Sequence, residues 1–178
     1  MAKFAEIKEI QNPFDPSKTI WKVQRVVAVG NSEVSYNGDV AGEEWCKKFF
    51  KGGTWKQTSY NTRKGIYHTP DDEGTIVQDP DQTKAFRHTY AGEGYVYDFE
   101  HDVFYLQQPY ATWTLDISNF TWVAPVTYPS ITKYTDASGN EIEHVITWDE
   151  PNQKWVSTDV SGINWEWNVT TSQWDSIS

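Results

Sequence analysis

The sequence has little of the material from which most chains of this length build a core or a cross-link. Its 178 residues include one cysteine, Cys46, and one methionine. A single cysteine excludes an intramolecular disulfide and any CxxC metal site. Hydrophobic residues make up 38% of the chain and the mean hydropathy is −0.68. Aliphatic side chains for a large conventional core are therefore scarce.

Long apolar runs and clusters of basic residues are also missing. No stretch of about 18 apolar residues occurs, so we expect no membrane-spanning segment. The first six residues lack the apolar centre of a secretory signal, which predicts synthesis in a reducing cytoplasm. The formal net charge is −10, and the 15 Lys and Arg residues are scattered. Because binding to phosphates needs clustered basic side chains, nucleic acid is excluded as an expected partner.

Aromatic residues are what the chain has in abundance. Ten Trp, ten Tyr and eight Phe make up 16% of the sequence. Each buried ring removes roughly 150–250 Å² from water, so these residues can hold together a chain that is poor in Leu and Ile. Aromatic side chains favour pleated surfaces with partners across the strand. The composition therefore predicts a mainly β protein.

The N-terminal part, residues 1–90, is predicted to be a small α+β unit. Alternation over residues 21–29 predicts a strand, and residues 54–60 predict another. Between them, residues 42–50 carry acidic residues first and lysines last and are followed by two glycines, which predicts one short helix. Residues 61–85 are rich in Asp, Pro, Gly and Thr and are predicted to be an inserted loop.

The C-terminal part, residues 91–178, repeats a short pattern. In each of four segments a large apolar residue precedes Asp or Asn, and an aromatic residue follows six positions after that Asp or Asn. The segments are Tyr97-Asp98 with Phe104, Leu115-Asp116 with Trp122, Trp148-Asp149 with Trp155, and Trp167-Asn168 with Trp174. Asp and Asn open turns because their side chains accept bonds from nearby backbone amides.

Each repeat is therefore predicted to be a β-hairpin whose returning aromatic residue lies opposite the outgoing one. In the third hairpin we expect Asn152 to supply the left-handed residue of the loop. Because a single hairpin is marginally stable in water, the hairpins must pack on each other, on the N-terminal part or on another chain.

Several segments together resemble a known family. They are the start of the chain (residues 1–7), Gly42-Glu43-Glu44-Trp45-Cys46, residues 52–61 (Gly-Gly-Thr-Trp-Lys-Gln-Thr-Ser-Tyr-Asn), residues 90–98 and residues 108–116. In these segments the chain is similar to small Trp-rich virion-associated structural proteins of marine cyanophages and related ocean phages. The resemblance spans roughly residues 1–130 and implies a component of a phage particle. The chain departs from that pattern in residues 64–85 and in the Trp hairpins after about residue 135.

Residues that could carry chemistry do not form a recognisable site. The four histidines (His68, His88, His101 and His144) are not spaced as metal ligands, and His101-Asp102 and Glu143-His144 are equally consistent with solvated turns. Cys46 is predicted to be a buried apolar residue of the helix. The carboxylate pairs Glu43-Glu44 and Asp71-Asp72 are expected in any acidic chain. We therefore predict no catalytic residue, metal or cofactor, and a protein that is not an enzyme.

Five tryptophans of the C-terminal part are the candidate contact residues: Trp148, Trp155, Trp165, Trp167 and Trp174. One hypothesis is that they form a core or a protein interface, since interfaces are enriched in Trp and Tyr. The alternative is that exposed rings stack on sugars. The sequence thus predicts a phage structural or accessory protein, bound to capsid or tail proteins in the virion. A homo-oligomer and a carbohydrate-binding module for host surface glycans are the alternatives left open.

Overall fold

The computed structural model describes residues 1–30, 39–136 and 138–177. Over these residues the protein is mainly β, with a single α-helix and several small antiparallel sheets. The predicted fold class is therefore confirmed. None of the described residues belongs to a helix that is long and apolar enough to cross a membrane.

The chain forms two compact units. Unit 1 comprises Met1–Gln107 and Ile117–Thr121, and unit 2 comprises Gln108–Asp116 and Trp122–Ser178. The elements of unit 1, in chain order, are β1 (Ala2–Gln11), β2 (Thr19–Val29), α1 (Asp39–Phe49), β3 (Thr54–Thr58), β4 (Thr62–Arg63), β5 (Ile66–Pro70), β6 (Ile76–Gln78), a 3-10 helix (Gln82–Lys84), β7 (Val96–Asp98) and β8 (Val103–Tyr105).

Unit 1 is organised around a five-stranded antiparallel sheet with the order β3-β1-β2-β7-β8. Because side chains alternate along β1, Phe4 faces one side of the sheet and Ala5 and Ile7 face the other. Phe4 packs with Trp55 of β3 and with Cys46 of α1, so the helix covers that side. The opposite side is a second cluster, which Val23, Ala91, Tyr97 and Phe104 share with Ala5 and Ile7.

The division between the units differs from the predicted one near residue 90. Hairpin β7–β8 belongs to unit 1 because β7 pairs with β2, where Trp21 lies opposite Tyr97. The approach to β7 is also bonded to β2: the amide of Val23 donates to the carbonyl of Tyr95 at 2.7 Å. The first repeat hairpin thus extends the N-terminal sheet, and the boundary falls after Gln107.

Residues 61–85 were predicted to be a loop, and this prediction is wrong for much of the segment. The segment contains β4, β5, β6 and the 3-10 helix, and the strands form a small sheet in the order β4-β5-β6. The side chain of Gln82 holds it together, accepting from the amide of Tyr67 at 2.8 Å and donating to the carbonyl of Tyr67 at 3.0 Å. Polar composition concealed these strands because they bury little surface.

Unit 2 is built from short hairpins. The remaining strands, in chain order, are β9 (Thr114–Asp116), β10 (Thr121–Val123), β11 (Lys133–Thr135), β12 (Glu141–Glu143), β13 (Val145–Asp149), β14 (Lys154–Thr158), β15 (Asn164–Asn168) and β16 (Gln173–Ile177). All of their residues belong to unit 2 except Thr121, the first residue of β10. The pairs β9–β10 and β11–β12 form two-stranded sheets, and the last four strands form one sheet in the order β13-β14-β15-β16.

The four repeats form the predicted hairpins β7–β8, β9–β10, β13–β14 and β15–β16. In three of them the aromatic residues lie directly opposite each other: Tyr97 and Phe104, Trp148 and Trp155, Trp167 and Trp174. In every repeat the residue four positions after the Asp or Asn has a positive φ, namely Asp102, Phe120, Gln153 and Ser172. The left-handed residue of the third loop is therefore Gln153 and not Asn152.

A second kind of loop, with the pattern Asp-x-x-Gly-x, occurs three times. In each, an oxygen of the Asp side chain accepts from the amide two residues later, at 2.9–3.0 Å, and the glycine has a φ of 83–85°. These loops start at Asp71, Asp136 and Asp159 and join β5–β6, β11–β12 and β14–β15. The glycine is needed because this φ is costly for other residues.

Substitution of Gly42 by alanine tests the packing of α1 on the sheet. A Cβ at Gly42 would lie 2.2 Å from Cζ of the buried Phe4 ring. Alanine favours a helix by up to about 1 kcal/mol, but the overlap is expected to outweigh this gain and to lower the free energy of unfolding by about 1–3 kcal/mol. Urea unfolding measures the change. Glu44→Ala, on the exposed side of the same helix, should stay within about 0.5 kcal/mol; equal stability of both variants would contradict the close contact.

Candidate functional site: the aromatic face and groove of unit 2

All five predicted tryptophans lie on one face of the sheet β13–β16, which we call the aromatic face. Directly paired residues of antiparallel strands point to the same side, and the register pairs Trp148 with Trp155 and Trp167 with Trp174. Ser157 pairs with Trp165, and the same register continued by two residues brings Trp155 opposite Trp167. Four tryptophans therefore form a row across all four strands, and Trp165 lies in the next row.

Three of the five tryptophans form a core. Trp148, Trp155 and Trp167 are buried, and the side chains packed on them come largely from residues 110–131 of unit 2. The rings of Trp148 and Trp155 meet edge to face, with centroids 5.0 Å apart. The Trp155 indole donates to the carbonyl of Val126 at 3.0 Å, and Tyr128 packs edge to face on the same ring. For these three residues the packing interpretation of the sequence agrees with the geometry.

Trp165 and Trp174 are only half-buried and line a groove of about 180 Å³, which we call the aromatic groove. Its lining residues are Ile131, Lys133, Tyr134, His144, Trp165, Gln173 and Trp174. The Trp174 indole donates to the carbonyl of Ile131 at 2.8 Å, and the Trp165 indole donates to the carboxylate of Asp159 at 3.2 Å. These bonds fix the orientation of both rings and leave part of each accessible.

His144 is part of this groove, whereas the sequence was equally consistent with a solvated turn at Glu143-His144. Its ring stacks on Trp174, with centroids 4.7 Å apart and an interplanar angle of 28°. Its Nδ1 lies 3.0 Å from the hydroxyl oxygen of Ser157, and the Tyr134 ring packs on the His144 ring with centroids 4.9 Å apart. Burial lowers the pKa of His144, and the carboxylate of Asp159 only partly offsets this effect. At neutral pH the ring is therefore an uncharged wall of the groove.

Among the described residues, one charged residue, Lys133, lines the groove, and carboxylates lie near it. Lys133 pairs with Glu141 at 2.7 Å and lies 3.8 Å from Glu143, while Asp159 lies beside Trp165. Across unit 2 there are nine Asp and Glu residues against two Lys residues and no Arg. The groove thus combines aromatic surface with a negative surrounding field, an arrangement that suits non-covalent binding.

The most elaborate charged cluster lies in unit 1 and centres on Arg87, whose side chain is almost fully buried. Its guanidinium lies 3.1 Å from Glu43 and 2.7 Å from Asp102 and donates to the carbonyl of Gln57 at 2.7 Å. The hydroxyl of Tyr97 also donates to Asp102. Burial alone would lower the pKa of Arg87, but the two carboxylates outweigh it and the pKa is raised. Lys56 lies 3.6 Å from Glu43, so two cations face two carboxylates, as in a structural network.

The remaining candidates also have structural surroundings. Cys46 is buried in α1, and burial together with Glu43 raises the pKa of its thiol to about 11, so the reactive thiolate is scarce at neutral pH. Glu43 belongs to the Arg87 network, and Asp71 accepts loop amides. Within the described ranges, no group of three or more His, Cys, Asp or Glu side chains is placed to hold a metal ion.

Comparison of the chain with protein-family models, curated proteins and solved structures returned no match. The site is therefore interpreted from its own residues and geometry.

We expect the pKa of His101 to lie above the ordinary histidine value and the pKa of His144 to lie below it. The hydrogen bond from His101 to Asp98 raises the pKa of His101, whereas burial lowers the pKa of His144. Protonation of His144 is thus disfavoured in the folded state, so stability falls as the pH is lowered through the ordinary His range. NMR titration of the ring protons measures both midpoints. Asp98→Asn should bring His101 back toward its ordinary value and leave His144 unchanged; two coincident midpoints would contradict this geometry.

Replacement of Arg87 by methionine tests the buried network. The change removes the buried cation that Glu43 and Asp102 share and one donor to the carbonyl of Gln57, and we expect a loss of about 3–5 kcal/mol in the free energy of unfolding. Arg25→Met is the matched control, because Arg25 pairs with Glu6 at 2.6 Å but is half-exposed; about 1 kcal/mol is expected there. Denaturant unfolding of both variants gives the comparison, and similar losses would show that burial adds nothing to the Arg87 pairs.

Proposed function

We propose that this protein is a structural accessory protein of a phage particle, a capsid decoration or tail-associated component that attaches through contacts of unit 2. The resemblance described above suggests the setting. The observation that carries an attachment role is the concentration of exposed apolar side chains at one end of the sheet β13–β16. Large exposed apolar patches in a folded protein mark interaction surfaces.

This apolar end consists of Val145, Val160, Ile163 and Ile177, which are 43–75% exposed. Val145 begins β13 and Ile177 ends β16, while the other two lie in or next to the β14–β15 loop, so the register puts all four at the same end. The end adjoins the aromatic groove, because the amide of Val160 donates to the hydroxyl of Tyr134. Val160 thus lies beside the groove, whereas the register points Val145 and Ile177 to the face opposite the aromatic face.

The aromatic row itself contributes indirectly to attachment. Trp148, Trp155 and Trp167 are buried in the core, so their role is to stabilise the sheet. Trp165 and Trp174 are the two predicted contact residues that remain accessible to a partner. The attaching surface therefore includes two of the five tryptophans and not all of them.

The negative charge of unit 2 disfavours negatively charged partners. With nine acidic and two basic side chains, the unit repels polyanions, which argues against nucleic acid. It also repels a second copy of itself, so other virion proteins are better partners for this surface than a homo-oligomer. A binding role, in place of an enzymatic one, agrees with the charge-matched Arg87 network and the unreactive state of Cys46.

The second candidate function is a carbohydrate-binding module for host glycans. It is favoured by the half-exposed rings of Trp165 and Trp174 beside the polar side chains of Gln173 and Lys133. Sugar stacking needs an open ring face, however, and one face of Trp174 is already covered by His144. The protein-attachment role therefore has the stronger support.

Quantitative mass spectrometry of gradient-purified particles tests the proposal. We expect the chain in fixed proportion to the major capsid protein, in many copies for a capsid decoration and few for a tail component. Its absence from clean particles would overturn the proposal.

Substitutions at the apolar end make the test specific to the surface. Particles grown with Val160→Ser and Ile163→Ser together should lose most of the bound chain. Val169→Ser is the matched control, since Val169 is 58% exposed in the β15–β16 loop at the opposite end of the sheet. Equal occupancy by all variants would exclude the apolar end as the attaching surface.

A further inference from the structure

The aromatic groove has a chemical preference that follows from the rings and carboxylates around it. Trp165, Trp174 and Tyr134 present π-systems, and the carboxylate of Asp159 lies against the Trp165 indole. A guanidinium is attracted to ring faces and to carboxylates at once. Among common side chains, arginine thus matches both features of the groove.

In unit 1 an arginine is held by aromatic rings and a carboxylate in the same way. The guanidinium of Arg25 lies over the rings of Phe50 and Trp55, at 4.8 and 5.4 Å from their centroids. Its Nε also pairs with the carboxylate of Glu6 at 2.6 Å. Two rings and one carboxylate therefore hold one arginine in this protein. The aromatic groove offers the same set of groups.

The size and field of the groove fit one cationic side chain. Its volume of about 180 Å³ corresponds to roughly six water molecules, at ~30 Å³ each. Lys133 is the one basic residue of the rim, against Glu141, Glu143 and Asp159. Lys133 lines the groove but is half-exposed and engaged with the two glutamates, so the negative field at the groove comes from Asp159 and from the net charge of unit 2.

We propose that the aromatic groove binds an arginine side chain carried by an extended segment of a partner protein. The partner's arginine stacks against Trp165 and Tyr134, and its charge is matched by the carboxylate of Asp159. This inference rests on the proposed attachment role, for which it names the chemistry of the partner. A second copy of the chain is disfavoured as the occupant because unit 2 carries nine acidic and two basic side chains.

The test is an NMR titration of the full-length, ¹⁵N-labelled protein with tetra-arginine amide. The indole N–H resonances of Trp165 and Trp174, assigned with Trp→Phe variants, are expected to shift, while those of the buried Trp148 and Trp155 stay in place. Binding should weaken with added salt because the rim charges are screened. Tetra-glutamate is the negative control.

Two lysine variants provide a matched pair. Lys133→Gln removes the competing cation from the rim and should tighten tetra-arginine binding about threefold, the effect of one charge at close range in water. Lys154→Gln changes the net charge equally, but Lys154 pairs with Glu166 on the opposite face of the sheet, so little change is expected. Trp165→Val should weaken binding roughly threefold to tenfold, with the dispersion of the remaining resonances confirming that the variant is folded.

Three outcomes would overturn the inference. The first is the absence of indole shifts with tetra-arginine. The second is an equal response of the two lysine variants, which would mean unspecific attraction to an acidic protein. The third is a shift of the same resonances with neutral oligosaccharides and no effect of Lys133→Gln, which would mark the groove as a glycan site.

Particle analysis separates this inference from the proposed function. A chain that is present in purified particles but fails to bind tetra-arginine would overturn the arginine site and leave the attachment role standing. A chain that binds tetra-arginine at the groove but is absent from particles would do the reverse.

Discussion

Hydrogen bonds from backbone amides to the first Asp or Asn of each hairpin loop are the interaction on which the rest of this structure depends. Asp98 accepts from the amide of Glu100 at 2.7 Å, and Asn168 accepts from that of Thr170 at 3.0 Å. Such bonds fix the length of the loop, and loop length fixes the register of a hairpin. A slip by one residue would turn Trp167 away from Trp174. The aromatic core is thus a consequence of loop chemistry as much as of ring burial.

The hairpins of this fold were predictable because the residues that determine each hairpin lie close together in the sequence. The six-residue spacing after Asp or Asn predicted the hairpins and the pairing of their aromatic residues, since both ends of each contact lie within one loop. The strands of residues 61–85 were missed; the pattern Asp-x-x-Gly-x marks loops at Asp71, Asp136 and Asp159, but it also occurs at Asp39 in α1 and so does not locate a loop by itself. The common face of the five candidate tryptophans follows from the alternation of strands. Which of them are buried depends on the covering segment of residues 110–131, whose position no spacing reveals.

A core made of tryptophan also differs physically from one made of leucine. Every indole carries an N–H that needs an acceptor when it is buried. In unit 2 those acceptors are specific: the carbonyl of Val126 for Trp155, the carbonyl of Ile131 for Trp174 and the carboxylate of Glu150 for Trp148. The bonds of Trp155 and Trp174 join the sheet to residues 126 and 131 of the covering segment, whereas that of Trp148 stays within its own hairpin, and the buried indole nitrogen of Trp113 has no acceptor among the described residues. Scarcity of aliphatic residues is thus offset by polar contacts that specify how the sheet is covered, and the aromatic groove lies where that cover ends.

The carboxylates of the loops also make the fold a proton-linked system. Bonds to Asn140 hold the pKa of Asp136 below its ordinary value, and bonds led by the Ser161 hydroxyl do the same for Asp159. A carboxylate whose pKa is lower in the folded state stabilises the fold above its ordinary pKa, and that contribution is lost as the pH falls through the folded-state value. Acid therefore acts on the loops of unit 2 together, because unfolding takes up protons at each of them. In an acidic environment the fold would therefore lose stability through its hairpin turns, although the tryptophan core itself carries no group that titrates there.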